Sequence, residues 1–382
     1  MTGRDKFEAA FSRDGTPEFP AAICYHGIFL RDHWEEVTRQ PWWMQFEPHP
    51  ERAALPWIDM IKKTGEDWFP IMLGSSHERR RMFTIEATPD GPFRVWRTGK
   101  REALPRPPVG GNKIAWTPVP GGIKDIAQLD AIMDDQVGPR GVSGLHPPEV
   151  GKPAEDGSLD LPRILLKEFG AEKLPLAAVG APFWSCCPLW GFEGLMTELM
   201  DSPDLVEHAT RRFAEHAIRQ VQTLAEAGAE AIWVEDCMTD MLSPQQFRRL
   251  NLPALRDLTD AIRAAGMYSV YYYCGNPNDR WELLLDSGAD ALSLEEGKNG
   301  FDIDIETVVE RVNGRTTLLG NLDAIGLLGQ ASEDQLRAEV VRQCRAGRRN
   351  RNRFIMSIGS PVTPATPLSR VQLYCDMVHG FR

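Results

Sequence analysis

The pattern that decides the fold lies in residues 231–296, with the sequence AIWVEDCMTDMLSPQQFRRLNLPALRDLTDAIRAAGMYSVYYYCGNPNDRWELLLDSGADALSLEE. Short apolar runs alternate here with helical patterns, in the order 231–234, 244–265, 268–273, 278–287 and 291–294. Gly266 and Gly288 each follow a helical pattern and precede the next strand, where a left-handed C-cap glycine belongs. The stretch therefore predicts consecutive βα units and a parallel sheet.

The same alternation continues on both sides of this stretch. Further strand candidates lie at residues 21–25, 68–72, 174–179, 316–319 and 353–356. Further helical patterns lie at residues 50–63, 204–227, 305–312, 333–346 and 367–378. The strand candidates alternate with helices and number eight in all, which predicts an α/β fold with a single (β/α)₈ TIM barrel spanning residues 1–382.

One block, about residues 79–160, interrupts the alternation. Runs at 82–87 and 93–98 flank a Pro-Asp-Gly turn, which predicts a β-hairpin. Proline-rich and loose segments follow it, the second of them around residues 139–160. We expect the whole block to be an excursion over the barrel mouth.

Composition and charge exclude several classes of protein. Hydrophobic residues make up 42% and charged residues 25% of the 382 residues, as in ordinary globular chains. A net charge of −11 disfavours nucleic acid and anionic membranes as partners. The apolar runs are far shorter than the roughly 20 residues that span a bilayer. The charged N-terminus lacks a secretory signal, so we expect a cytoplasmic protein with reduced cysteines.

The candidate functional residues follow the predicted strands, because reacting groups in such barrels lie at the C-terminal ends of strands. In chain order they are His26, Glu235, Asp236, Cys237, Tyr272, Cys274, Glu295, Glu296, Asn321, Asp323 and Ser360. Side chains alternate along a strand, so Glu235 and Cys237 share a face, as do Tyr272 and Cys274. We expect Glu235, Cys237, Cys274 and at least one of Glu295 and Glu296 to converge in one pocket.

Two interpretations of the cysteines and carboxylates remain open. Thiolates beside carboxylates suit zinc, with Cys274, Cys237 and Glu295 as the candidate ligands. Alternatively, the cysteines are small buried side chains and the carboxylates face water. The arginines at 79–81, with His77, are a candidate anion clamp at the mouth. The sequence carries no HExxH, GxSxG, Walker or GxGxxG motif that would indicate a common hydrolase, kinase or dinucleotide-binding enzyme.

At these residues the chain resembles the uroporphyrinogen decarboxylase superfamily, which includes the decarboxylase and zinc-dependent corrinoid methyltransferases. The resemblance rests on residues 242–247, 272–276, 320–323 and 359–367. Cys274 stands at a metal-ligand position of the methyltransferases, whereas Tyr272 occupies the family's His position and Ser360 the second Cys position. The resemblance implies either that replacement ligands hold the zinc or that none is bound.

The leading hypothesis is therefore a methyltransferase that moves a methyl group between a small substrate or corrinoid and a thiol or ether acceptor. The resemblance implies a corrinoid carried on a partner protein. The candidate catalytic residues are Asp236, Glu235, Tyr272 and His26, and the candidate cofactor-binding residues are Asn321, Asp323 and Ser360. A second hypothesis is a decarboxylase, a lyase for a porphyrinogen-like or other carboxylated substrate, in which Asp236 or a neighbouring carboxylate stabilises positive charge on a pyrrole-like ring. A third is a non-catalytic binding protein.

Overall fold

The computed structural model describes residues 1–110, 118–136, 153–237, 239–297 and 300–382. Its strands are, in chain order, β1 (Ala21–Ala22), β2 (Trp68–Pro70), β3 (Phe83–Thr88), β4 (Gly91–Trp96), β5 (Arg101–Ala103), β6 (Leu174–Gly180), β7 (Ala231–Cys237), β8 (Tyr268–Cys274), β9 (Ala291–Leu294), β10 (Thr317–Leu319) and β11 (Phe354–Ser357). Eight of these described strands form one parallel sheet, in the order β1-β11-β10-β9-β8-β7-β6-β2.

Backbone and side-chain hydrogen bonds draw the two edge strands of this sheet together. The backbone N–H of Asp67 donates to the carbonyl of Ala21 at 2.8 Å, and the Asp67 carboxylate accepts the N–H of Ala21 at 2.8 Å. The indole N–H of Trp68 donates to the carbonyl of Ile23 at 3.0 Å. The sheet is therefore a nearly closed barrel, which confirms the predicted TIM-barrel fold.

Helices surround the barrel. The described α-helices are α1 (Gly3–Phe11), α2 (His26–Asp32), α3 (Trp34–Val37), α4 (Pro50–Thr64), α5 (His77–Met82), α6 (Ile126–Gln136), α7 (Pro153–Asp156), α8 (Asp160–Phe169), α9 (Cys187–Asp201), α10 (Pro203–Glu226), α11 (Pro244–Gln246), α12 (Leu252–Ala264), α13 (Trp281–Leu285), α14 (Ile305–Val312), α15 (Glu333–Arg349) and α16 (Leu368–His379). No helix in the described part of the chain is both long and apolar enough to cross a membrane.

The helix α14 shows why these segments fold as they do. Its buried residues Ile305, Val308, Val309 and Val312 have helical spacing and form one apolar stripe. Asp304 caps its N-terminus by accepting two backbone N–H groups, and Asn313 ends it in the left-handed conformation. The apolar stripe and the two caps together set the orientation and length of this helix.

Several predicted elements are shorter or interrupted in the structure. The strand predicted at 21–25 ends at Ala22, and the chain turns at Tyr25, whose φ of 60° lies in the left-handed region. The helix predicted at 244–265 contains a π-helical segment, Phe247–Asn251, between α11 and α12. In contrast, β7 and β8 extend further than their apolar runs and include Cys237 and Cys274 themselves.

The excursion contains the predicted hairpin, formed by β3 and β4, and a third strand, β5. The N–H of Gly110 donates to Asp32 at 3.1 Å, and the N–H of Val119 donates to the carbonyl of Leu189 at 3.0 Å. These partners follow β1 and β6 along the chain, so the excursion lies on the side of the barrel where the strands end. The loose segment predicted around 139–160 lies largely outside the described residues.

Candidate active site

A cavity of about 760 Å³ opens among the residues that follow β1 and β2 and the inner faces of β6 and β7. Its lining includes Tyr25, His26, Trp68, Arg79, Trp233 and Glu235. The walls are largely apolar and aromatic, with a few polar side chains, which is the usual composition of a small-molecule site. Ala178 of β6 also lines the cavity and is exposed although it lies within a barrel strand.

Aromatic rings form one wall of this cavity. Trp233 stacks on Tyr272 with ring centroids 4.8 Å apart, and Trp68 packs edge-on against Trp233 at 6.0 Å. Tyr25 approaches Tyr272 edge-on at 5.9 Å. Because Glu235 is in register with Tyr272, the alternating residues Trp233 and Glu235 of β7 lie on the same inner face as Tyr272.

Glu235 is the carboxyl group on this inner wall. The Tyr25 hydroxyl donates to its Oε1 at 3.0 Å, and the Cys237 thiol donates to the same oxygen at 3.7 Å. Burial raises the pKa of Glu235 above the ordinary value, although both hydrogen bonds act to lower it. Glu235 therefore keeps its proton to a higher pH than a solvated glutamate does.

His26 is another polar side chain on the cavity wall. It begins α2, and its Nε2 lies 2.9 Å from Oε2 of Glu66, which is fully buried. The other Glu66 oxygen accepts the hydroxyl of Thr64 at 3.0 Å. A buried carboxylate therefore orients the His26 ring beside the cavity.

The two cysteines predicted to end neighbouring strands do so side by side. Cys237 and Cys274 are register partners at the ends of β7 and β8, and both are partly exposed. A hydrogen bond with Cys274, together with burial, raises the pKa of the Cys237 thiol. The Cys237 thiol donates to Glu235, and the cavity lining includes Glu235 but neither cysteine, so the shared pocket of these residues stays a prediction.

Asp236 corrects one expectation, because it faces away from the barrel interior. Its Oδ2 accepts the Tyr271 hydroxyl at 2.6 Å and the Asn251 amide at 2.8 Å, and the side chain is fully buried. Burial raises the pKa of Asp236 to about 6. It lies between its strand and the surrounding helices because adjacent strand residues point to opposite faces.

The three predicted cofactor-binding residues make hydrogen bonds within the fold. Asn321 donates to the carbonyls of Glu295 and Ile303, at 3.1 and 2.7 Å. Asp323 accepts two backbone N–H groups and caps the π-helical segment Ala324–Gln330. The structure therefore assigns Asn321 and Asp323 to loop and helix geometry, and neither is part of the cavity lining.

Tyr272 and Ser360, which stand at expected metal-ligand positions, also have partners within the protein. The Tyr272 hydroxyl donates to the carbonyl of Gly359 at 3.1 Å, and the Ser360 hydroxyl donates to Glu296 at 2.7 Å. Among the described residues, no group of three or more His, Cys, Asp or Glu side chains is arranged to hold a metal ion. Cys274, Cys237 and Glu295 therefore do not form the expected zinc site within the described part of the chain.

The arginines at 79–81 also separate in the structure. Arg79 lines the cavity, whereas Arg80 donates to Asp160 at 2.8 Å and contributes to anchoring the start of α8. Of the three arginines predicted to clamp an anion, Arg79 is therefore the one that lines the cavity.

Sequence reasoning missed three contributors to the site: Tyr25, Trp233 and Glu66. Tyr25 and Trp233 belong to strand candidates, and strand periodicity would have placed Trp233 on the face of Glu235. Glu66 precedes its strand, so a search confined to the C-terminal ends of strands could not find it. Its pairing with His26 arises only when β1 and β2 meet.

Comparisons with known proteins agree with this architecture. The model of the uroporphyrinogen decarboxylase (URO-D) family matches residues 134–381. A uroporphyrinogen decarboxylase of Ralstonia pickettii is 25% identical over 238 residues, covering 59% of this chain and 63% of that protein. The methylcobamide:CoM methyltransferase MtbA of Methanosarcina mazei is 21% identical over 222 residues, covering 58% and 62%. The matched region thus spans about six tenths of the length of these curated relatives.

A solved structure extends the likeness of fold to nearly the whole chain. A methyltransferase from Methanosarcina mazei superimposes with a TM-score of 0.65 at 18% identity, covering 99% of this chain and 98% of that one. Curated relatives of the chain include both decarboxylases and methyltransferases. Because the family match covers well over half of its residues, the chain belongs to the uroporphyrinogen decarboxylase family, a family of barrel enzymes.

Proposed function

We propose that this protein is a methyltransferase that takes the methyl group from the oxygen of a small methyl ether bound in the cavity. The observation that carries the proposal is Glu235, a partly buried carboxyl group on a largely apolar cavity wall, whose pKa is raised by desolvation. A carboxyl group whose pKa is raised keeps its proton to a higher pH and can deliver it to a leaving oxygen. The partner that accepts the methyl group is a protein carrying a corrinoid.

The leaving oxygen of the methyl ether needs a proton from Glu235. When the bond between the methyl carbon and oxygen breaks, its electron pair remains on oxygen, which takes the proton of Glu235 and leaves as an alcohol. A reduced corrinoid on the partner protein would supply the electron pair for the new bond to the methyl carbon. General acid catalysis of this kind contributes about 10²–10⁴-fold to a rate.

The other cavity residues bind the substrate and orient the Glu235 carboxyl group. Tyr25 donates to Oε1 of Glu235 and so holds the carboxyl group in one orientation. Trp233 offers apolar surface to the methyl-bearing part of the substrate and excludes water from it, and the fully buried Trp68 packs against Trp233. His26, held by Glu66, offers the substrate a further polar contact on the same wall.

The proposed step uses no zinc. Zinc sites in proteins are built from four ligands or from three ligands and a water, drawn from Cys, His and carboxylate side chains. The described residues do not supply three such donors in one place, and Tyr272 and Ser360 hydrogen-bond within the fold. We therefore expect turnover to survive exhaustive treatment with a metal chelator.

Decarboxylation is the second candidate, and Arg79 on the cavity wall favours it. A guanidinium group binds a substrate carboxylate well. In that reaction carbon dioxide leaves, and Glu235 gives its proton to the carbon that carried it. The curated relative named uroporphyrinogen decarboxylase supports this alternative. Asp236 has no part in it, because Asp236 lies outside the barrel interior.

One experiment separates the two candidates. The purified chain is incubated without oxygen with reduced cobalamin and a panel of methoxylated aromatic and aliphatic compounds. Cobalamin methylation is followed by absorbance and the alcohol product by mass spectrometry, while carbon dioxide release from uroporphyrinogen is measured in parallel. Methyl transfer with no carbon dioxide release is the expected result.

Replacing Glu235→Gln should lower the methyl-transfer rate by about 10²–10⁴-fold, because an amide cannot supply the proton. Glu226→Gln, an exposed glutamate at the end of α10, is the matched control and should leave the rate unchanged. Full turnover in Glu235→Gln would remove the acid role. Carbon dioxide release in place of methyl transfer would establish the second candidate instead.

A further inference from the structure

We propose that Cys237 and Cys274 form a modification site, a dithiol that closes to a reversible disulfide across the ends of β7 and β8. The two residues are register partners in a parallel ladder that runs from Ala231 and Tyr268 to the cysteines themselves. The proposal concerns the state of these thiols and is independent of the proposed methyl transfer.

Backbone geometry permits the bond. Neighbouring strands lie about 4.8 Å apart, and disulfides join residues whose Cα atoms are roughly 4.4–6.8 Å apart. Partners in register on adjacent strands point to the same face of a sheet. The Cys274 thiol is the first cause of the raised pKa of Cys237, which places the two side chains near each other. Closing the disulfide therefore needs rotation about side-chain bonds at a strand separation that lies within the range of disulfides.

Access distinguishes this pair from the remaining cysteines. Cys237 and Cys274 are both partly exposed. The other five side chains are at most 2% exposed: Cys24, Cys186, Cys187, Cys344 and Cys375. A small oxidant in solution therefore reaches the pair at the strand ends before it reaches the buried thiols.

The reaction balances with a small disulfide such as glutathione disulfide as oxidant. The sulfur of one cysteine displaces one glutathione and forms a mixed disulfide. The sulfur of the second cysteine then attacks the protein sulfur and displaces the other glutathione. The two protons of the protein thiols end on the two glutathione molecules, so the protein loses two hydrogen atoms and the oxidant gains them.

Closure has a direct consequence for the cavity wall. In the reduced protein the Cys237 thiol donates to Oε1 of Glu235, and this bond lowers the pKa of that carboxyl group. A disulfide sulfur has no proton to donate. Oxidation therefore removes one of the two side-chain donors to Glu235 and leaves Tyr25 as the other.

The test uses the full chain, incubated without oxygen in glutathione buffers of increasing glutathione disulfide content. Samples are quenched in acid, unfolded, alkylated and analysed as intact protein and as peptides. We expect two of the seven cysteines to escape alkylation, and the peptide containing Cys237 to be joined to that containing Cys274. Dithiothreitol should restore both thiols.

Two variants sharpen the result. Cys237→Ser leaves Cys274 without a partner, so the mixed disulfide with glutathione should accumulate at Cys274 and the intact mass should rise accordingly. Cys344→Ser, in α15, is the matched control and should form the same cross-link as the parent chain.

Three outcomes would overturn the proposal. They are two thiols that remain free in excess oxidant, two glutathione adducts that never cross-link, and the same loss of two alkylation sites in Cys237→Ser. Should the serine variant fail to fold, peptide mapping of the parent chain decides the matter by itself.

Discussion

Tyr25 shows how much of the site depends on the conformation of one residue. A bulky residue with positive φ is uncommon, and at Tyr25 this conformation joins the end of the first strand to α2. The turn brings the hydroxyl of Tyr25 to Glu235 and places the next residue, His26, against Glu66. Two consecutive side chains, Tyr25 and His26, thus hydrogen-bond to two different carboxyl groups beside the cavity.

This arrangement predicts the effect of Tyr25→Phe on the pH dependence of turnover. In the parent chain the hydrogen bond from the Tyr25 hydroxyl lowers the pKa of Glu235. Phenylalanine cannot donate this bond, so the pKa of Glu235 should rise in the variant. Since the proposed acid acts only while protonated, the falling limb of kcat/KM against pH should move to higher pH. The control is Tyr268→Phe, at the opposite end of β8. A limb displaced to lower pH would contradict the assignment of Glu235 as the acid.

At the scale of the element, β7 presents two different chemistries on its two faces. Glu235 faces the cavity with the aromatic wall, and Asp236 faces the surrounding helices, where Tyr271 and Asn251 bind it. Asp236 therefore contributes to how the strand and its neighbours pack, and the effect of changing it should be seen in stability.

The raised pKa of Asp236 predicts a pH-dependent stability. In the folded chain this pKa is about 6, against an ordinary value of 3.8. Between these values the folded state holds a proton that the unfolded state has lost, so stability should fall as pH rises from about 4 to about 6. Urea unfolding of the parent chain and Asp236→Asn at several pH values measures this. The difference in unfolding free energy between the two should decline across that window, and a constant difference would contradict the prediction.

At the scale of the whole molecule, Asp67 joins the two edges of the barrel and both ends of the chain. Its carboxylate accepts the N–H of Ala21, lies 2.8 Å from Nε2 of His379 in α16, and lies 3.9 Å from Nζ of Lys6 in α1. Burial tends to raise its pKa, but these partners outweigh burial and hold the pKa of Asp67 below its usual value.

Replacing Asp67→Ala should therefore destabilise the barrel by about 3 kcal/mol, because buried donors lose a charged acceptor. Asp204→Ala is the control, since that carboxylate is 88% exposed and its ion pair with Arg249 should contribute little. Urea unfolding at neutral pH measures both variants. The contribution of Asp67 is present above about pH 4 and should be lost as pH falls through its depressed pKa. Equal stability of the two variants would refute the role of Asp67 in joining the two edges of the barrel.

The sequence by itself determined the barrel and the order of its strands. Alternation of apolar runs with amphipathic helices is a local property, and glycines such as Gly266 and Gly288 mark the helix ends wherever the chain lies in space. The same periodicity also predicted that Cys237 and Cys274 end adjacent strands. These predictions succeed because they depend on neighbours a few residues apart.

Only the tertiary structure decided which polar groups meet. Glu235 and Asp236 are consecutive and equally acidic, and only the closed barrel determines that one faces the cavity and the other the helices. His26 finds Glu66 across 40 positions of sequence. The expected zinc ligands Cys274, Cys237 and Glu295 belong to no group of three such side chains arranged to hold a metal ion among the described residues. The physical reason is common to all three cases: periodicity assigns residues to faces, whereas closure of the sheet decides what each face contacts.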